Sequence, residues 1–246
     1  MIRSQENGEI DYTDLENTLR INRDKPAIVL ANYGTTMKEA KDDVTRIKNI
    51  LKSLAIQDSY IHCDAALAGS YGAFVEPRVP FDFKDGADSV AISGHKFIGS
   101  PIPSGVIITK KSNRDRIAKG VSYIGSFDTT ITGSRNGHSP LFLWYALKRM
   151  GVEGLKQRFQ SSLEVAAYCE KRLNEIGIPA WRNPNAITIV FPKVHDSIIS
   201  KWQLATQETI SHIICMPNVS KEQIDNLILD IQNCEEVVEN EYEFSF

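Results

Sequence analysis

The sequence predicts an α/β protein in which a mostly parallel sheet covered by helices is followed by a small C-terminal α+β domain. Three observations carry this. Short apolar runs alternate with helical repeats through the first half of the chain. That strand–helix rhythm builds parallel sheets, because each parallel return needs a crossover. The character of the chain then changes near residue 138, where two helical stretches lead into further short strands.

The elements follow in order. Residues 26–32 form an apolar run ending in polar residues, which reads as a buried strand. Within 42–54, Val44, Ile47, Ile50, Leu51 and Leu54 recur at helical spacing. Residues 60–64, 87–93 and 105–109 read as three more strands. Helices are expected at 141–150 and at 152–176, the second ended by Gly177 and Pro179. Strands at 186–191 and 211–216 come next. A helix over 222–231 follows, with Ile224, Leu227, Ile228 and Ile231 on one face. The acidic tail, 235–246, is expected to fray. The expected domains are 1–138, belonging to the sheet, and 139–246, holding the connecting helices and the small domain.

Composition narrows the function. Over 246 residues the hydrophobic share is 42% and the charged share 24%, enough to bury a core. A net charge of -3 offers no basic field for nucleic acid or an anionic membrane. No apolar run approaches the ~20 residues of a membrane helix, and the first residues lack a secretory h-region. Cys63, Cys169, Cys215 and Cys234 are scattered without a C-x-x-C pair, as expected of reduced thiols in a cytoplasmic protein. No G-x-G-x-x-G run or Walker lysine motif supports a nucleotide-binding fold.

Polar residues gather just after three of the strands: Asn32-Tyr33-Gly34-Thr35-Thr36, His62-Cys63-Asp64-Ala65-Ala66 and Ser93-Gly94-His95-Lys96. Ligands of open parallel sheets bind outside the carboxyl ends of the strands, so all three segments could face one crevice. An acid at one strand end and a lysine just beyond another suit pyridoxal phosphate (PLP). The lysine amine forms an imine with the cofactor aldehyde, and a carboxylate keeps the pyridine nitrogen protonated. Taken singly, Asp64 reads as a turn former and Lys96 as a surface residue. The buried-type neighbours Phe97 and Ile98, and the stiff turn with Pro101 and Pro103, are odd around a solvated lysine.

The runs His62-Cys-Asp-Ala-Ala-Leu-Ala-Gly69 and Ser93-Gly-His-Lys-Phe-Ile-Gly-Ser-Pro-Ile-Pro-Ser-Gly105 resemble the group II PLP-dependent amino-acid decarboxylases. The Gly-Ser-Pro-Ile-Pro stretch is most similar to bacterial histidine decarboxylases and to plant serine decarboxylases. Asn32-Tyr-Gly-Thr-Thr-Met-Lys-Glu-Ala and Thr130-Ile-Thr-Gly-Ser-Arg-Asn-Gly-His-Ser139 resemble the same subfamily. The resemblance runs along nearly the whole chain. It implies the fold type I PLP-dependent transferase-like fold, here with a partial large domain. It also implies a homodimer and loss of carbon dioxide from an L-amino acid, with histidine the leading substrate and serine the alternative.

The resemblance assigns Lys96 to the Schiff-base lysine and Asp64 to the carboxylate on the pyridine nitrogen. Ala66 becomes the small residue on one ring face, and His95 and Ser93 become phosphate contacts. Thr35 and Thr36 line the site. Ser134 and Arg135 fall in a loop that approaches the neighbouring subunit's site, with an ordinary surface loop as the other reading of Arg135. His62 shares a strand face with Asp64 and either orients it or is a satisfied buried histidine. Tyr33, Tyr123 and His138 are candidate proton donors without a decision among them.

Members of this group begin much earlier in their chains. Their additional part brings the phosphate-cradling loop and a histidine that stacks on the other ring face. Its lack implies an exposed sheet edge and apolar surface. Two further readings therefore stand beside the enzyme: a non-catalytic remnant, or a fragment that a complementing N-terminal chain completes. A sulfur-removing fold type I lyase ranks lower, since no cysteine sits in an obvious catalytic loop.

Overall fold

The computed structural model describes residues 1–129 and 134–243. The chain divides into two compact units. The first comprises Met1–Gly34 and Lys41–Val152; the second comprises Thr35–Ala40 and the chain from Glu153 onward.

The first unit opens with α1 (Tyr12–Ile21). Asp11 caps it, accepting from the amides of Thr13 and Asp14, and so satisfies donors that have no partner within the helix. Then come β1 (Ala27–Asn32), α2 (Val44–Ser53), β2 (Ser59–Asp64), β3 (Ser89–Ser93) and β4 (Gly105–Thr109). Asp43 caps α2 by accepting from Arg46 N, and Val44, Ile47 and Leu51 form its buried stripe. The sheet order is β1-β2-β3-β4. The first two pairings are parallel and the third antiparallel, which bears out the mostly parallel sheet and makes it mixed. The antiparallel pairing has a plain cause: the β3–β4 connection is a short loop, and a parallel return needs a crossover of a dozen residues or more.

The two faces of this sheet differ. Ala27, Val29, Ala31, Ile61, Cys63 and Val90 are buried on one face. On the other, the register aligns Leu30 with His62, Asp64 with Ala91, and Ala91 with Ile107. There Ile28, Leu30 and Ile107 are 77%, 64% and 71% exposed. The sequence leads one to expect uncovered apolar surface, and these three side chains are that surface.

Beyond the sheet lie α3 (Lys111–Ile117) and the hairpin β5 (Lys119–Val121) and β6 (Ser126–Asp128), none of which the apolar pattern announces. The motif residues Thr130, Ile131, Thr132 and Gly133 lie outside the described residues. The helix α4 (His138–Glu175) is broken at Gly151, whose φ of 61° only glycine adopts readily. The two expected helices, 141–150 and 152–176, are the two sides of that break.

In the second unit, β7 (Thr188–Pro192), α5 (Asp196–Trp202), β8 (Ala205–Gln207), β9 (Ile210–Ile214) and α6 (Lys221–Glu243) follow the second half of α4. The antiparallel sheet has the order β7-β9-β8. Its core gathers Cys169 and Leu173 of α4 with Ile189, Phe191, Cys215, Leu227, Ile228 and Ile231. One expectation is corrected: the last helix does not end at residue 231 but continues to Glu243, and residues 244–246 of the expected tail lie outside the described residues. Residues 232–243 contain neither glycine nor proline, so no residue there breaks the helix.

Candidate active site

Main-chain hydrogen bonds bring the strand-end segments of the first unit together. Tyr33 N donates to Asp64 O at 2.7 Å, joining the segment after β1 to the end of β2. Ala65 N donates to Ala91 O at 2.9 Å, and Ser93 N donates to Ala66 O at 3.1 Å. The segment carrying Asp64 and Ala66 is thus laced to the one carrying Ser93, His95 and Lys96. The acid lies at the carboxyl end of a parallel strand, where an open sheet presents its ligand site.

Asp64 is exposed. Its Oδ1 accepts from Ala66 N at 3.1 Å, so the carboxylate also shapes the turn that follows. Its second oxygen has no partner among the described residues. His62 points to the same sheet face but engages Ser89 instead: His62 Nδ1 and Ser89 Oγ lie 2.7 Å apart, across the β2–β3 pairing. Ser89 is a partner of His62 that the sequence did not single out. Cys63 points the other way and is fully buried. Burial pushes its thiol up to about 12, so it carries no thiolate near neutral pH.

Lys96 stands in the loop 94–104 between β3 and β4. It is exposed and makes no hydrogen bond or ion pair among the described residues. Its two successors are the opposite: Phe97 is fully buried and Ile98 is 8% exposed. Phe97 meets the Tyr71 ring edge-on at 4.8 Å between centroids. The loop is therefore anchored through Phe97 while the amine stays free to react. Ser93 is half-buried, and its hydroxyl has no partner among the described residues. His95 is exposed, with Nδ1 held 3.1 Å from Ser104 N.

The remaining candidates are placed differently. Thr35 and Thr36 belong to the second unit, where Thr35 Oγ1 accepts from Ala40 N at 2.9 Å. Ser134 and Arg135 are exposed at the start of the segment leading into α4. Two acids outside the candidate set tie chain segments together, each within its own unit. Asp42 is 1% exposed and accepts from Ile10 N at 2.8 Å and Asn32 N at 2.7 Å. Burial raises its pKa above the usual carboxylate range. Glu39 is fully buried in the second unit.

The donor set fits a flat cofactor with a basic ring nitrogen, an aldehyde and a phosphate. It offers a carboxylate with a free oxygen, an unpaired amine, a small side chain at Ala66, and free donors at Ser93 and His95. No group of His, Cys, Asp or Glu among the described residues could hold a metal ion.

The profile of the pyridoxal-dependent decarboxylase conserved domain matches residues 1–185. The chain belongs to the pyridoxal-dependent decarboxylase family. Pyridoxal phosphate is the cofactor for which this family's site is built. A histidine decarboxylase of Mesorhizobium japonicum is 50% identical over 95% of this chain and 63% of its own length. One from Morganella morganii is 45% identical over 94% and 62%. This family member therefore spans about three-fifths of those relatives. An L-methionine decarboxylase from Streptomyces sp. 590 superposes with a TM-score of 0.83 at 28% identity, over 92% of this chain and 57% of that one. A glutamate decarboxylase of Lactobacillus brevis shares the fold with a TM-score of 0.74 at 21% identity.

Proposed function

We propose that this decarboxylase-family chain provides the lysine and pyridinium-side half of a site that decarboxylates L-histidine to histamine and carbon dioxide. The observation that carries this reading is the unpaired Lys96 on an anchored loop, laced to the strand end that bears Asp64. The high identity to histidine decarboxylases favours histidine over serine as substrate. When bound, pyridoxal phosphate supplies an electron sink for the charge left as carbon dioxide departs. Lys96 would hold the cofactor covalently through its amine. Asp64 would keep the ring nitrogen protonated by offering its free oxygen. Ala66 leaves room for the ring, and Ser93 and His95 donate to the phosphate. Ser134 and Arg135 serve the neighbouring site of a cytoplasmic homodimer.

The test mixes the purified chain with pyridoxal phosphate and follows imine absorbance. Carbon dioxide release from histidine, serine and aromatic amino acids is then measured. Lys96→Ala should abolish the absorbance, and Asp64→Asn should leave it but cut release by a factor of 10² or more, on the order of 3 kcal/mol. An absorbance unchanged in Lys96→Ala overturns the assignment.

One observation favours a second reading, in which a complementing polypeptide completes the fold. Ile28, Leu30 and Ile107 lie bare on the sheet face that also carries Asp64. Its test supplies in trans the part of the Mesorhizobium japonicum relative that this chain does not match. Absorbance and release that appear only in the mixture support this reading, and full activity of the chain alone removes it.

A further inference from the structure

Lys96 and His95 share a loop that is closed by the main chain of one residue, Ser104. Gly94 N donates to Ser104 O at 2.9 Å, which extends the β3–β4 ladder one step beyond the Ser93–Gly105 pair. The neck is tight: a Cβ on Gly94 would lie 2.5 Å from both Ser104 Oγ and Leu143 Cδ2. Ser104 N, in turn, donates to His95 Nδ1 at 3.1 Å. Ser104 O lies equally close to that nitrogen, at 3.1 Å.

Protonation of the ring decides between these two neighbours. The amide hydrogen lies in the rigid peptide plane and cannot turn aside. A proton on Nδ1 would meet it head-on and leave the amide without its acceptor. The carbonyl oxygen has no such need, because it already accepts from Gly94 N. The hydrogen bond made by one ring nitrogen fixes which nitrogen carries the proton.

We infer that the Ser104 main-chain amide is a positioning group that holds neutral His95 as its Nε2–H tautomer, making the free nitrogen a hydrogen-bond donor to an anionic oxygen. That the anion is the phosphate of pyridoxal phosphate rests on the function proposed above; the tautomer does not. In the opposite tautomer Nε2 would present a lone pair to the phosphate and repel it. No other hydrogen bond to the His95 ring is made among the described residues, so Ser104 alone sets this choice.

The test is long-range ¹H–¹⁵N spectroscopy of the full chain labelled at histidine, at about pH 8.5, where imidazoles are neutral. Loss of signals in His95→Gln assigns the ring. The expected result is a pyridine-type Nδ1 and a pyrrole-type Nε2, retained in Ser104→Ala, which keeps the amide. Ser104→Pro removes the N–H and should shift both nitrogens toward the averaged position of a ring exchanging between tautomers. A pyrrole-type Nδ1 in the parent chain overturns the inference, as does a Ser104→Pro spectrum identical to the parent's. If Ser104→Pro does not fold, the parent and Ser104→Ala spectra decide. Adding pyridoxal phosphate should move Nε2 more than Nδ1. No response to it, with the tautomer as expected, counts against the cofactor reading and leaves the role of Ser104 standing.

Discussion

Replacing Glu39 by alanine should destabilise the second unit more than any surface change. The carboxylate is fully buried. Its Oε2 accepts from Ile187 N at 2.9 Å and from Thr188 Oγ1 at 2.7 Å. Glu39→Ala strands both donors where water does not reach, at about 1–3 kcal/mol each. The expected loss is therefore roughly 2–6 kcal/mol, set against total stabilities of about 5–15 kcal/mol for ordinary domains. Urea unfolding followed by the fluorescence of Trp181 and Trp202, both in this unit, gives the loss. Amide exchange at Ile187 shows whether it arises at the proposed place. Glu39→Gln keeps one acceptor oxygen and should lose less than half as much. A loss below about 1 kcal/mol, with Ile187 as protected as before, would refute the reasoning. It would mean that the cost of burying the carboxyl group cancels the hydrogen bonds from Ile187 and Thr188.

Other expectations follow from the same contacts. A Cβ on Gly72 would lie 2.8 Å from both Phe81 Cε1 and Tyr33 Cε1, and those rings stack at 4.1 Å. Gly72→Ala should thus cost about 1–3 kcal/mol by overpacking, and an undiminished melting temperature would contradict this. His212 is 6% exposed, and burial pulls its pKa below 6.5 although its ring pairs with Met37 O. The folded state therefore binds the proton less readily than the unfolded chain. This contribution is complete above the unfolded value of about 6.5 and declines as pH falls from there through the lowered folded value. His212→Gln should flatten the fall in urea midpoint between about pH 7 and pH 5; a slope equal to the parent's would exclude it. Ile28→Lys places a charge on the bare sheet face and should reduce self-association of the chain in light scattering, whereas unchanged association would show that this face is not the contact.

The sheet was readable in the sequence because its strands are short, largely apolar runs with polar ends, as at 26–32. The α2 helix was readable because Val44, Ile47 and Leu51 keep a helical period. The α1 helix was not foreseen, since only Tyr12 and Leu15 are buried in it, too few to mark a face. The C-terminal helix was expected too short, because its apolar stripe stops at Ile231 although nothing after it breaks a helix.

The sequence by itself singled out the residues proposed to bear the chemistry: Asp64 and Lys96 stand in short runs that resemble those of one family. The tertiary structure alone decided which distant segments each unit ties together. Ser89 beneath His62, Ser104 behind His95, and Glu39 under Ile187 act across 27, 9 and 148 residues. Two of these three bonds are made by main-chain amides. An amide belongs to every residue but proline, so the identity of the residue says nothing about where its hydrogen bond goes. Only the fold, by bringing distant segments within 3 Å or so of each other, settles that.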